Sequence, residues 1–191
     1  GMLEFALSSN KDSLQDRSWE FGAGVSGFTG YLIDCNNTVF IPDSESADML
    51  LKRLELYKRL YTQIAGVQKA GLNNNRVATE RNLLRTIDQL ENYLASSLDQ
   101  DPLLLVNFSP EISGSEISEW KDKAKKIIEA NIRPIVSVYL DQLKTEHLPK
   151  GRGDDKCGIM WIDGGEESYL RALRKYTGHK DTTVKEVHEI G

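Results

Sequence analysis

The pair His188-Glu189 is the part of the sequence closest to a known catalytic motif. In a His-Glu-x-x-His helix, two imidazoles on one face hold zinc and the glutamate activates water. Here His188-Glu189-Ile190-Gly191 supplies the first four positions, and the fifth lies beyond the last residue. The other histidines, His147 and His179, are isolated in the sequence. We therefore expect no metal site, no catalytic residue and no cofactor within this chain.

Three glycines near the start of the chain have the spacing of a dinucleotide-binding loop. Gly22, Gly24 and Gly27 match Gly-x-Gly-x-x-Gly, but no apolar strand precedes them. No acidic residue follows at the distance a βαβ unit requires. This context argues against a nucleotide site.

The tripeptide Arg152-Gly153-Asp154 is the sequence that integrins recognise in their ligands. Three-residue motifs recur by chance, and nothing else in the chain marks an adhesion module. Glycine and aspartate at this density are typical of a polar loop. We therefore interpret the tripeptide as part of a loop.

The chain contains two cysteines, Cys35 and Cys157. Two are too few for a disulfide framework, and their separation does not suit a metal knuckle. No histidine neighbours Cys157 in the sequence, so an activated thiol is disfavoured. Whether the two cysteines pair is left open.

The overall composition indicates a soluble globular protein. Of 191 residues, 39% are hydrophobic and 28% are charged, and the net charge is −5. A negative balance gives no field that attracts phosphate backbones, so we expect no nucleic-acid partner. No apolar stretch approaches the length of a membrane span. The compartment, whether cytoplasmic, periplasmic or secreted, is left open.

Hydrophobic periodicity predicts a mainly α fold, an antiparallel helical bundle. Residues 1–43 read as an irregular segment and residues 44–191 as a helical domain, interpreted as a fragment of a larger protein. Apolar residues at helical spacing predict helices near 45–70 and 76–98, which should form an antiparallel pair. Capping boxes predict further helix starts, at Ser113 and Thr183.

A long third helix is predicted over residues 115–147. Its expected buried face consists of Ile117, Trp120, Ala124, Ile127, Ile128, Ile135, Val138 and Tyr139. Pro134 lacks a backbone donor and should kink this helix. Beyond it, the apolar density of residues 157–162 predicts a short strand or hairpin, and Asp163 is expected to cap the helix that follows.

The second half of the sequence contains a series of short motifs: Arg133-Pro134-Ile135, Tyr139-Leu140, His147-Leu148-Pro149, Arg152, Cys157-Gly158, Asp163 to Tyr169, Thr177, Thr182-Thr183 and Glu186 to Gly191. With these motifs the chain resembles the domain of unknown function 885 family. The helical pair from Asp43 to Leu98 is also similar to the family's N-terminal half. Two departures are Ile162, where the family often has proline, and Leu170, where a second tyrosine is common.

The resemblance implies a function for the whole family. Its members look like zinc metallopeptidases of the all-helical carboxypeptidase type, longer than this chain, with the zinc motif downstream of the Ile-His-x-Ile-Gly ending. By this resemblance, the chain is a helical scaffold that walls a peptide groove and is inactive alone. Zinc would bind in a C-terminal half that is absent here.

Within that interpretation, Gly158, Gly164, Gly165 and Tyr169 are the candidate residues of the substrate groove. Glycines let the backbone approach another chain, and a strand with a free edge can pair with a bound peptide. The Tyr169 hydroxyl would donate at the groove wall. In the alternative reading, Trp161 and Tyr169 simply fill the gap between the third and fourth helices.

Two other functions remain open from the sequence. The chain is alternatively a self-contained helical module that binds a protein partner through its third helix. It is alternatively a non-catalytic structural homologue of the peptidases.

Overall fold

The computed structural model describes residues 39–179 and 181–190. Within these ranges the fold is mainly helical, as the periodicity predicts. The α-helices are α1 (Ser44–Glu55), α2 (Tyr57–Asn73), α3 (Glu80–Ala95), α4 (Gly114–Ile127), α5 (Arg133–Gln142), α6 (Gly165–Thr177) and α7 (Val184–Ile190). The glycine loop at residues 22–27 and Cys35 lie outside the described residues.

The predicted helix near 45–70 is two helices, α1 and α2, separated at Leu56. The Leu56 N–H bonds to the Arg53 carbonyl at 3.0 Å, which tightens the last turn of α1. Neither proline nor glycine marks this position, so the pattern carries no signal for the break. Asp43 caps α1 through a 2.7 Å hydrogen bond from the Ser46 N–H. At the other end, α2 stops where Asn75 adopts a positive φ of 52°.

A two-stranded parallel sheet joins the start of α1 to the segment before α4. Strand β1 (Phe40–Ile41) pairs with β2 (Asn107–Phe108), with Phe40 opposite Asn107. The predicted strand at 157–162 is wrong, because residues Ile159–Trp161 form a 3₁₀ turn. Short apolar density alone does not distinguish these two conformations.

The predicted long helix extends without a break from Gly114 to His147. The capping box at its start is present, with the Ser113 side chain bonded to the Glu116 N–H and Glu116 bonded back to Ser113. Helix α4 passes into a π-helical turn, Ile128–Ile132, and then into α5. A second π-helical turn, Leu143–His147, ends the helix.

Pro134 lies directly after the first π-helical turn. A proline ring clashes with the carbonyl four residues earlier in an ordinary α-helix. The wider turn accommodates it, and the Arg133 N–H bonds to the Ile128 carbonyl five residues back. The irregularity beside Pro134 is therefore a π-helical turn, and the predicted kink stays a prediction.

The core is built on the long helix. Helices α2 and α3 both pack on α5, while α1 packs on α4. Buried side chains follow the whole length of the helix: Trp120, Ala124, Ile128, Ile132, Val136, Tyr139 and Leu143. The antiparallel arrangement of α2 and α3 stays a prediction. No helix among the described residues combines the length and apolar character that a membrane crossing needs.

Candidate functional site

The candidate groove residues lie in a 3₁₀ turn and the first turns of α6. The Trp161 N–H bonds to the Gly158 carbonyl at 3.2 Å, and the Ile162 N–H bonds to the Ile159 carbonyl at 3.1 Å. These donors are therefore used inside the turn. The sequence predicts that a bound peptide pairs with the free edge of a strand in this segment. The segment forms a turn and has no strand edge, so this mode of peptide binding has no structural support.

Gly165 brings two parts of this segment into close contact. A Cβ atom at Gly165 would lie 1.7 Å from the Ile159 carbonyl oxygen, so only glycine fits. Its neighbour Gly164 has φ of 68° and open space around it, and it forms the N-cap of α6. Asp163, predicted to be the cap, instead accepts a 3.3 Å hydrogen bond from the Asn75 amide. The glycines therefore serve packing and turn geometry within the chain.

Three large side chains of this segment are exposed: Met160, Trp161 and Tyr169. Their exposed fractions are 60%, 48% and 43%. They lie on the 3₁₀ turn and on α6, two elements that pack against each other. The Lys156 ammonium lies 5.7 Å from the centre of the Trp161 ring. We call these three side chains the C-terminal surface. It offers apolar contact next to the positive charge of Lys156.

The side chains of Trp161 and Tyr169 are 48% and 43% exposed, so neither is enclosed in the core. The buried apolar side chain of the segment is Ile162, which is 4% exposed. Ser168, on the first turns of α6, is also buried. The aromatic rings are thus left available for contact at the surface.

Arg152 joins this segment to the helical core. Its guanidinium donates to the Val77 carbonyl at 2.6 Å and to the Gly158 carbonyl at 2.8 Å. Its backbone pairs with the loop between α2 and α3, because its N–H bonds to the Ala78 carbonyl at 2.9 Å. Burial lowers the pKa of Arg152. The arginine of the Arg-Gly-Asp tripeptide is therefore engaged within the fold.

The aspartate of that tripeptide also has an internal partner. Asp154 forms an ion pair with Arg81 on the first turns of α3. Gly153 therefore lies between two residues, Arg152 and Asp154, that are bound to other parts of the chain. A Cβ atom at Gly153 would lie 2.7 Å from the Asp155 carboxylate. The loop reading of this tripeptide agrees with these contacts.

The histidines of the described residues do not converge. His147 is buried at the end of the long helix, with its Nε2 atom 3.4 Å from the Gln142 amide nitrogen. Burial lowers the pKa of His147. His179 and His188 are exposed. Over residues 39–179 and 181–190, no three His, Cys, Asp or Glu side chains form a group that could hold a metal ion.

Sequence reasoning missed the buried ion pair between Arg133 and Asp101. The Asp101 side chain is fully buried, and its Oδ2 atom lies 3.2 Å from the Arg133 guanidinium. Arg133 also donates to the Ser96 carbonyl at 2.9 Å and lies over the Tyr93 ring. Burial is the main cause that raises the pKa of Tyr93. The one sequence signal for this ion pair is Arg133, a charged residue within an apolar stretch of the predicted third helix.

Comparison with known proteins places the chain in one family. The family model described as "Bacterial protein of unknown function (DUF885)" matches residues 2–191. The chain belongs to this family. No curated protein and no solved structure gives a significant match. In this DUF885 chain, the matched range includes both the helical core and the C-terminal surface.

Proposed function

We propose that this chain is the helical scaffold portion of a zinc-dependent peptide hydrolase. In this proposal it walls the peptide groove through the C-terminal surface and is inactive by itself. The observation that carries the proposal is the exposure of Met160, Trp161 and Tyr169 on an anchored segment. Methionine and aromatic side chains are enriched where proteins contact other polypeptides.

The position of this surface also supports the proposal. Arg152 ties the segment to the loop between α2 and α3, so the surface has a fixed support. A wall of a binding groove needs such support, because a mobile wall costs conformational entropy when substrate binds.

Zinc would require ligands from outside the described residues. Those residues supply no trio of suitable side chains, and His188 is a single exposed imidazole on a short helix. Three protein ligands are the usual set of a catalytic zinc site. We therefore derive no catalytic step from this chain's own side chains.

The proposal is tested by two peptidase assays on fluorogenic peptides. The 191-residue chain supplied with zinc should give no hydrolysis. In the protein encoded by the complete gene, Trp161→Ala should raise KM about fivefold with kcat nearly unchanged, because it removes ground-state and transition-state contacts equally. Tyr176→Ala is the matched control, since Tyr176 is an exposed aromatic residue of α6, the helix that carries Tyr169, and it is not part of the C-terminal surface.

Hydrolysis by the 191-residue chain alone would contradict the scaffold role. An unchanged KM in Trp161→Ala would contradict the groove role. The variant Tyr169→Phe keeps the aromatic ring of this surface residue and removes only its hydroxyl group. If rate and peptide affinity are both unchanged in that variant, the Tyr169 hydroxyl has no substrate role.

A second candidate function is a self-contained module that binds a protein partner. The sequence assigns the partner contact to the third helix, but much of that helix is buried against α1, α2 and α3, so the exposed C-terminal surface is the better contact. Binding through this surface needs no metal. A pulldown that recovers one partner with the 191-residue chain, and loses it in Trp161→Ala, would support this function if the full-gene protein lacks peptidase activity. A non-catalytic structural homologue would show neither property.

A further inference from the structure

A separate pocket lies between α1 and α4, and its lining includes no residue of the C-terminal surface. Its volume is about 160 Å³, and its buried lining includes Leu51, Ile112 and Trp120. The exposed residues around it include Asp48 and Glu119. We call it the α1–α4 pocket. Neither the family match nor the proposed peptidase role assigns a function to it.

The apolar lining of the pocket is held in place. The Trp120 indole N–H donates to the Ala47 carbonyl of α1 at 2.9 Å. The Phe108 ring meets the Trp120 ring edge to face, with 5.3 Å between centres. A lining fixed by a hydrogen bond and a ring contact is formed before any ligand arrives, which reduces the entropy cost of binding.

The charges around the pocket are mostly negative. Asp48, Glu116 and Glu119 contribute carboxylates, and Lys123 contributes the ammonium, 2.7 Å from Glu119. Glu116 also accepts a 3.1 Å hydrogen bond from the Ser44 hydroxyl, and its bonds with Ser113 are the main cause that lowers its pKa. Three carboxylates against one ammonium leave an excess of negative charge. This excess complements a cationic ligand.

The size of the pocket restricts what it can hold. Small-molecule sites usually have volumes of about 300–1,000 Å³, so this pocket is too small for a whole ligand of that class. It fits one apolar side chain, in the manner of the anchor pockets at protein interfaces. The rest of a ligand anchored by one side chain must lie over the charged residues around the pocket. A polypeptide chain can make both contacts, because its neighbouring side chains extend beside the anchor.

We propose that the α1–α4 pocket anchors a basic polypeptide by one apolar side chain. The anchor lies against Leu51, Ile112 and Trp120. Lysine or arginine residues beside the anchor face Asp48 and Glu119. This function is independent of the peptidase proposal, because the pocket shares no residue with the C-terminal surface.

The test uses a short capped peptide with the core sequence lysine-leucine-lysine. Its binding is followed through the NMR signal of the Trp120 indole N–H, which is assigned by its loss in Trp120→Phe. We expect saturable binding that shifts this signal. A peptide with glutamate in place of both lysines should bind about tenfold more weakly. A peptide with glycine in place of leucine should leave the signal unshifted.

A pair of double variants separates this pocket from general charge attraction. Asp48→Lys combined with Glu119→Lys should weaken binding of the lysine peptide about tenfold. Glu45→Lys combined with Asp122→Lys makes the same charge change on exposed residues of α1 and α4 that do not line the pocket, and it should have a much smaller effect. All four positions are exposed, so both variants should fold, which circular dichroism checks.

Several results would overturn the proposal. They are the absence of saturable binding, equal affinity for the glutamate peptide, equal losses in the two double variants, and a shift confined to the Trp161 indole. Raising the salt concentration on the unmodified chain gives an independent test, because exposed charge pairs are screened. Affinity that does not fall with salt would exclude the charged rim as a determinant.

Discussion

In the long helix, the side chains of Ile128, Ile132, Val136 and Leu143 are fully buried, whereas after Arg152 several large apolar side chains are exposed, with Tyr176 at 84%. The long helix contacts α1, α2 and α3 along its length. Helix α6 packs mainly on the 3₁₀ turn beside it. The helical core is therefore stabilised by burial, while the C-terminal segment depends on a few polar anchors, such as the hydrogen bonds of Arg152.

The same contrast indicates that the helical core determines stability, while the C-terminal segment provides surface for contact with a partner. Buried apolar contact gives the core its free energy of unfolding, at roughly 25 cal/mol for each Å² removed from water. The C-terminal segment leaves such area unburied, and unburied apolar area is what a partner can cover. Sites of contact are therefore expected in that segment, and large stability losses are expected from changes in the core.

The largest effect is expected from Arg133→Ala in the core. The change leaves the buried Asp101 carboxylate without its ion-pair partner, which costs about 3–5 kcal/mol in the free energy of unfolding. Urea denaturation measures the loss. Lys125→Ala is the control, because its ion pair with Asp99 is at the surface, and it should change stability little. Equal losses of unfolding free energy in the two variants would contradict the expectation that the buried ion pair contributes more to stability than the exposed one.

A smaller effect is expected from Gly165→Ala in the C-terminal segment. The new Cβ clashes with the Ile159 carbonyl and must displace the 3₁₀ turn, which costs about 1–3 kcal/mol. Gly164→Ala meets open space, and its positive φ alone costs about 1 kcal/mol. Trp161 fluorescence should change more in Gly165→Ala. A larger fluorescence change in Gly164→Ala would contradict this packing.

Acid is expected to destabilise the core through His147. Burial lowers its pKa below the ordinary value of 6.5, so the unfolded chain binds the proton first and stability falls as the pH drops below that value. Glu146 raises this pKa, while Lys150 and Lys69 lower it further. Thermal denaturation between about pH 7 and pH 5 should show the loss in the native chain and a flatter profile in His147→Gln. Parallel profiles would assign the loss to other groups.

The smallest effect is expected from Cys157→Ser. Cys157 is exposed and its thiol is free, so the free energy of unfolding should change by less than about 0.5 kcal/mol. Thiol reagents should label Cys157 rapidly under native conditions. Slow labelling together with a loss of several kcal/mol would indicate a bond to Cys35.

The sequence was sufficient to predict the elements that depend on local signals. The capping boxes at Ser113 and Thr183 are present, because side-chain and backbone partners three residues apart need no tertiary information. Helix α6 ends at Thr177, and Gly178 follows it with φ of 73°, a conformation that glycine favours at helix ends. The mainly helical fold follows from the hydrophobic period.

Features set by helix geometry were harder to predict. An α-helical period places Ile135 and Val138 on the buried face, but Val138 is 63% exposed and Val136 is fully buried. The π-helical turn before Pro134 holds an additional residue, which shifts the buried face by one position. The hydrophobic pattern alone does not report such a turn.

The role of Gly158, Gly164, Gly165 and Tyr169 in a substrate groove stays a prediction, while the structure corrects the local geometry expected for them. The segment from Gly158 to Tyr169 carries exposed apolar side chains, but Gly165 serves internal packing, Gly164 serves turn geometry, and the turn is not a strand. The anchoring role of Arg152 depends on carbonyls about 75 residues away in sequence, which no local pattern encodes. The pairing of Arg133 with Asp101 is likewise set by tertiary contact.

Hydrogen exchange, measured by mass spectrometry on the unmodified chain and on Arg152→Ala, tests the distinction between the two regions most directly. Amides of the long helix should exchange slowly in both proteins, because opening them requires disruption of the core. Amides of α6 should exchange faster than those of the long helix, and faster still in Arg152→Ala, which loses the anchors to Val77 and Gly158. Equal protection of the two helices, or equal acceleration of both by Arg152→Ala, would contradict the account.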